Sequence, residues 1–180
     1  MPSSQTLAIG LLAGALACAQ SEPRTARGAS LEADWTGRDT GRIAAPAVAE
    51  WCDTLRVLEI RATQGDSGIA LAFYPSGALV SGSYPLRPPE RADSVRPGAA
   101  VALRWFGETM IRGFRGDSGA VELDRSPAGA LSGRFTASML STTDTGRLVL
   151  RGSFRALSVK SGTRGCTARP ARPAADTGVD

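Results

Sequence analysis

Residues 55–73 read LRVLEIRATQGDSGIALAF. Leu58, Ile60 and Ala62 alternate with polar residues, and Ile69, Leu71 and Phe73 do the same on the far side of Gly65-Asp66-Ser67-Gly68. Alternation with period two places one set of side chains on each face of a strand, and a Gly/Asp/Ser cluster between two such runs marks a hairpin. This stretch therefore predicts a pair of antiparallel strands, each buried on one face.

The same grammar continues on both sides. Pro75-Ser76-Gly77 predicts a turn before a strand over residues 78–84. Ala99, Val101, Leu103 and Trp105 share one face of the next run. Further turns are expected at Gly107-Glu108, at a second GDSG (residues 116–119), at Ser126-Pro127-Ala128-Gly129 and at Thr143-Asp144-Thr145-Gly146, with strands between and after them. Residues 85–98 contain Pro85, Pro88, Pro89 and Pro97 and carry no helix signal, so they predict the longest loop. Its mixed charges (Arg87, Glu90, Arg91, Asp93, Arg96) suit a protein contact or a plain crossover. The fold class expected is all-β, a single antiparallel β-sandwich or small barrel of roughly eight to ten strands. Segments at 77–84, 129–135 and 146–154 share a turn glycine, a leucine, an inner glycine and an aromatic residue. The inner glycines Gly82, Gly133 and Gly152 predict bulges or places where an aromatic ring covers a strand.

The chain has 180 residues and no histidine. That removes Ser-His-Asp and Cys-His nucleophile systems and histidine-ligated metal or haem. A GDSG string surrounds the nucleophilic serine of trypsin-like proteases, but here no histidine can take the proton from Ser67 or Ser118. Asp66, Gly68, Asp117 and Gly119 are accordingly read as structural turn residues. Asp66, Asp117 and Asp144 match no dense calcium loop. Glu59, Glu108 and Glu122 are the carboxylates a glycosidase-like pair would need, but nothing in the sequence brings two of them together. The expectation is no catalytic activity, no cofactor and no metal site. Twenty of the 21 basic residues are Arg, and the net charge of +4 lies within residues 34–166. Spread singly along predicted strands, this charge is a solvated face and predicts no nucleic-acid partner.

Residues 7–17, LAIGLLAGALA, form an apolar run of signal-peptide length, too short to span a bilayer. It ends in Ala15-Leu16-Ala17, followed by Cys18. This stretch resembles the lipobox of bacterial lipoproteins, with Ala15 where Leu, Val or Ile is usual and no Lys or Arg in the preceding MPSSQT. The resemblance implies cleavage before Cys18, a lipid anchor on that residue and a membrane partner. Ala19 and Gln20, rather than Asp, follow Cys18 and point to the outer membrane, facing the periplasm. An ordinary secretory signal is the alternative and would leave a secreted or periplasmic protein. With Cys18 lipidated, Cys52 and Cys166 remain as an even pair, and an oxidising periplasm predicts a disulfide between them. Two separate buried thiols are the alternative.

The expected organisation is a signal peptide at 1–17, a flexible tether at 18–33, a β-domain at 34–166 and a disordered Pro/Ala-rich tail at 167–180. The layout is similar to that of small uncharacterised lipoproteins of Gram-negative bacteria, a resemblance that implies no activity. The function expected is a binding or structural module of the bacterial envelope, with an envelope protein as possible partner. A small-ligand carrier is the alternative: Trp35-Thr36-Gly37 is similar, in reversed order, to the glycine–tryptophan start of lipocalin-like barrels. A carboxylate-based hydrolase is the third reading. Trp35, Trp51, Trp105 and Phe106 are read as core or rim packing.

Overall fold

The computed structural model describes residues 28–107 and 110–161. Strands β1 (Ser30–Gly37), β2 (Gly41–Cys52), β3 (Val57–Gln64) and β4 (Ser67–Tyr74) form a meander. Then come β5 (Gly82–Leu86), a single helical turn α1 (Pro89–Ala92), β6 (Gly98–Phe106) and β7 (Ile111–Arg125). The remaining strands are β8 (Leu131–Ser141), β9 (Arg147–Leu157) and β10 (Val159–Ser161). The strand order is β1-β9-β8-β7-β5-β6-β4-β3-β2-β10, and a further pairing of β1 with β2 closes the sheet. The molecule is thus a closed nine-strand barrel with one extra strand, so of the two expected architectures it is the barrel.

Closure removes free sheet edges, which a sandwich must protect by other means. It also gives the barrel two distinct ends. The β1–β2, β3–β4, β6–β7 and β8–β9 connections lie at one end, the tip. Ser30, the β2–β3 turn, α1 and β10 lie at the other, the base. Two seams open towards the base. β6 pairs with β7 only from Ala102↔Arg115 to Phe106↔Ile111, and below this β5 wedges between them against residues 119–123 of β7. β1 pairs with β2 only over residues 41–46, and below this the parallel β10 lies beside residues 49–51.

Inward positions follow the alternation read from the sequence. Leu58, Ile60 and Ala62 on β3 and Ile69, Leu71 and Phe73 on β4 are all buried. β2 was not legible as a strand. Its inward side is Ile43, Ala45, Ala47 and Ala49, a weak apolar signal, and Pro46 interrupts it. Pro46 faces Ser30, the first residue of β1, where the ladder between the two strands ends.

Four expectations are corrected. Residues 30–33, expected in the tether, begin β1, with Leu31 and Ala33 buried. Residues 78–81 precede β5 rather than belonging to it. The 85–98 segment contains α1, where Pro at the first helical turn and Glu90 behind it act as a start signal. The fourth concerns the second GDSG. It forms no turn: Asp117 and Gly119 lie inside β7, at a bulge where Gly116 and Ser118 face the adjacent residues Met139 and Ser138. Asp117 is the extra residue. Gly119 has φ +132°, and a Cβ there would stand 2.0 Å from the Thr136 carbonyl oxygen. The bulge lies where β7 exchanges β6 for β5, consistent with bulges re-aiming a strand.

The first GDSG is the hairpin expected. Gln64 pairs with Ser67, and Gly65 and Asp66 form a two-residue loop. Gly65 holds φ +55°, so it, rather than Gly68, occupies the left-handed conformation.

Candidate functional site

The lumen is the first place to look for a site in a closed barrel. Trp35 on β1 and Trp105 on β6 stack inside the tip with ring centroids 5.2 Å apart. Trp105 stacks in turn on Phe114 of β7, also at 5.2 Å and nearly parallel. Trp105 is thus packed against two other rings within the barrel. Below this level Phe73 of β4 meets Phe154 of β9 edge-on at 6.2 Å and Tyr84 of β5 at 5.4 Å. Leu31, Ile43, Leu58, Leu103, Leu131 and Met139 fill the space around them with essentially no exposure. The lumen is a packed core.

Two inner glycines belong to this packing. Phe135 faces Gly152 and Phe154 faces Gly133 across β8 and β9. A Cβ on Gly152 would stand 2.4 Å from the Phe135 ring, and one on Gly133 would stand 2.5 Å from the Phe154 ring. Each ring lies over the other strand's glycine, as the sequence pattern suggested. Gly82 begins β5 with φ +148° and has nothing above it.

The tip carries polar groups around the aromatic stack. Asp144 accepts a hydrogen bond from the Gly146 amide at 2.7 Å and pairs with Arg38 at 3.0 Å. The Gly146 amide, then Ser141, then the nearby Arg38 hold the Asp144 carboxyl below its usual range. Arg112 lies 3.8 Å from Asp39. The buried indole Nε1 of Trp35 and the Asp39 Oδ2 make no hydrogen bond among the described residues. At the outermost point Phe106 pairs with Ile111, and both are exposed, as is Met110.

The residues singled out in the sequence do not converge. Asp66 is in the β3–β4 hairpin, Asp117 is in the β7 bulge beside Arg147, and Asp144 is in the β8–β9 loop. Glu59 faces outward on β3 near Arg61, and Glu122 lies on β7 opposite Ser83 and Arg134. Glu108 lies outside the described residues. No group of three or more acidic or cysteine side chains that could hold a metal ion occurs among the described residues. Cys52 is buried at the base end of β2; Cys18 and Cys166 lie outside the described residues. Trp51 is half-buried and its Nε1 donates to Asp53.

Proline-rich residues 85–98 are tied down by Arg96. It donates to the Asp93 carboxylate and to the backbone oxygens of Leu55, Arg56 and Pro75. Glu90 on α1 bonds Arg115 on β7 at 2.6 Å. A feature the sequence reading passed over is a trough of about 300 Å³ on the outside of β3, β4 and β6. Its signal was present: the outward positions of β4 are Gly68, Ala70 and Ala72, where an exposed strand normally carries polar side chains.

No family model, no curated protein and no solved structure matches this chain.

Proposed function

We propose that the chain is an exported, lipid-anchored envelope protein whose barrel is a rigid module that binds through its outer surface. The observation that carries surface over internal binding is the filled lumen, crossed by Trp35–Trp105 and Phe73–Phe154. Export and anchoring are supported by the apolar run at 7–17 and the Ala15-Leu16-Ala17-Cys18 sequence. Ser30, the first residue of β1, is twelve positions beyond Cys18. An extended segment of that length reaches about 40 Å, enough to hold the base of the barrel near a bilayer without touching it. No helix among the described residues is long and apolar enough to cross a membrane.

A disulfide between Cys52 and Cys166 belongs to the same reading. β10 runs parallel to β2 with Ser161 beside Trp51, the neighbour of Cys52. Cys166 is five residues further along, a reach of about 16 Å, and a bridge needs Cα atoms only about 4.4–6.8 Å apart.

The closed barrel is also the architecture a lipocalin-like carrier would use. Its packed interior favours the surface module.

Metabolic labelling with an alkynyl fatty acid tests the anchor. The wild-type chain should carry label and sediment with membranes, and Cys18→Ala should lose both. An unlabelled wild type, or a Cys18→Ala protein that stays membrane-bound, refutes lipid anchoring at this residue.

A further inference from the structure

The outward positions of three neighbouring strands change character abruptly. β3 presents Glu59, Arg61 and Thr63; β4 presents Gly68, Ala70 and Ala72; β6 presents Ala102 and Arg104, while Ala100 is buried. Register aligns them in rows, Arg61–Ala70–Ala102 and Thr63–Gly68–Arg104. Small side chains on two adjacent strands, flanked by long ones, leave the trough of about 300 Å³. Its floor is carbon: Gly68, Ile69, Ala70 and Ala102. Such a floor takes an aliphatic body, with the Thr63 hydroxyl and the two arginines as the polar side chains of its lining.

The two guanidinium groups at its rim differ. Arg61 is neutralised by Glu50 and lies 4.0 Å from Glu59. Arg104 has no ion-pair or hydrogen-bond partner among the described residues, and its Nε lies 3.9 Å from where a Cβ on Gly68 would stand. A charge without a counter-ion among the described residues, beside an apolar trough, complements a ligand with one anionic head and one hydrocarbon tail. A guanidinium also binds a carboxylate in a two-point geometry that an ammonium cannot offer. The trough is at the lower end of small-ligand volumes, which suits a chain of about ten carbons. Two residues beyond Arg104 on the same face, exposed Phe106 pairs with exposed Ile111 and extends the apolar track towards the tip.

We propose that this trough binds a free medium-chain carboxylate, with its methylenes over Gly68, Ala70 and Ala102 and its carboxylate on Arg104. The proposal deepens the reading of the barrel as a surface-binding module and is independent of lipidation at Cys18, which the labelling experiment tests separately.

The test is calorimetric titration of the full chain with decanoate below its micellar concentration, alongside decanol and decyltrimethylammonium. Decanoate should bind saturably at one site, at least tenfold tighter than either of the others. Arg104→Ala should weaken it at least tenfold. Arg134→Ala, an exposed arginine on the β8 wall, should leave it unchanged. Ala70→Leu should abolish binding by filling the trough, with circular dichroism confirming the fold; if that variant does not fold, Arg104→Ala decides. Lack of saturable binding, equal affinity for decanol, or equal effects of the two arginine variants would overturn the proposal. So would equal binding to phosphatidylcholine vesicles free of fatty acid.

Discussion

The indoles of Trp35 and Trp105 stack across the barrel, although their strands lie on opposite walls. Between β1 and β6 stand β9, β8, β7 and, towards the base, β5 on one side and β2, β3 and β4 on the other. The contact therefore joins two strands that are not paired with each other. Trp35→Ala should cost about 3–5 kcal/mol, and Trp105→Ala a value near the low end because it is only partly buried. A double-mutant cycle should return a coupling of about 0.5–1.5 kcal/mol. Guanidinium denaturation measures all three; strictly additive losses would mean the stack contributes only area.

Gly152→Ala places a methyl group 2.4 Å from the Phe135 ring and 2.6 Å from the Glu32 carbonyl oxygen. Backbone on one side and a core ring on the other leave little room to relax. A loss of about 2–3 kcal/mol is expected, as for other overpacked cores. Gly77→Ala is the control, since nothing lies within 4 Å of its Cβ position. It should change the unfolding midpoint hardly at all.

Ala156 sits in the left-handed region at φ +55°, in the stretch of β9 where Gly133↔Phe154 is followed by Leu131↔Leu157. An L-residue there costs roughly 1–2 kcal/mol, while glycine loses about 0.5–1 kcal/mol more chain entropy on folding. Ala156→Gly should thus stabilise by up to about 1 kcal/mol. A lower thermal midpoint for this variant would show that the methyl group's contacts outweigh the backbone strain.

Asp144 ties the β8–β9 loop to Arg38 and to the Gly146 amide. Its folded carboxyl titrates below the ordinary 3.8, mainly through the Gly146 amide, so its contribution is present above that pH and is lost as pH falls through the lower folded value. Asp144→Asn should lower stability at neutral pH, and the difference from wild type should shrink as pH falls below the ordinary carboxyl value. Parallel acid-unfolding curves would contradict the assignment.

Reduction should release the bridge proposed between Cys52 and Cys166. Closing a loop of about 115 residues contributes at most about 4–5 kcal/mol by chain entropy. Non-reducing electrophoresis should show a mobility shift on reduction, and Cys166→Ser should lower the unfolding midpoint. Two thiols alkylated without reductant in the folded protein would count against it.

What the sequence disclosed depended on how strongly each strand alternates. β3, β4 and β6 bury Leu, Ile, Val and Phe on one face, so their period stood out. β2 buries mostly alanine and contains Pro46, so its period was faint. The GDSG at 116–119 looks locally like the GDSG at 65–68, yet one bends within a strand and the other reverses the chain. Only the partners decide: β8 continues past the bulge, while beyond Gln64 the chain folds back on itself. Barrel over sandwich was likewise out of reach, because closure rests on β1 pairing with both β2 and β9. The trough was missed because alanine and glycine look inert one at a time and form a surface only when register aligns them.

β1 is bonded to β9 along its whole length and to β2 over most of it, and the chain towards Cys18 leaves from its base end. A pull along that segment would load the strand lengthwise, so the ladder bonds on both flanks must yield together rather than peel apart one by one. If the chain is anchored at Cys18 as proposed, mechanical load would thus reach the barrel through one of its best-braced strands.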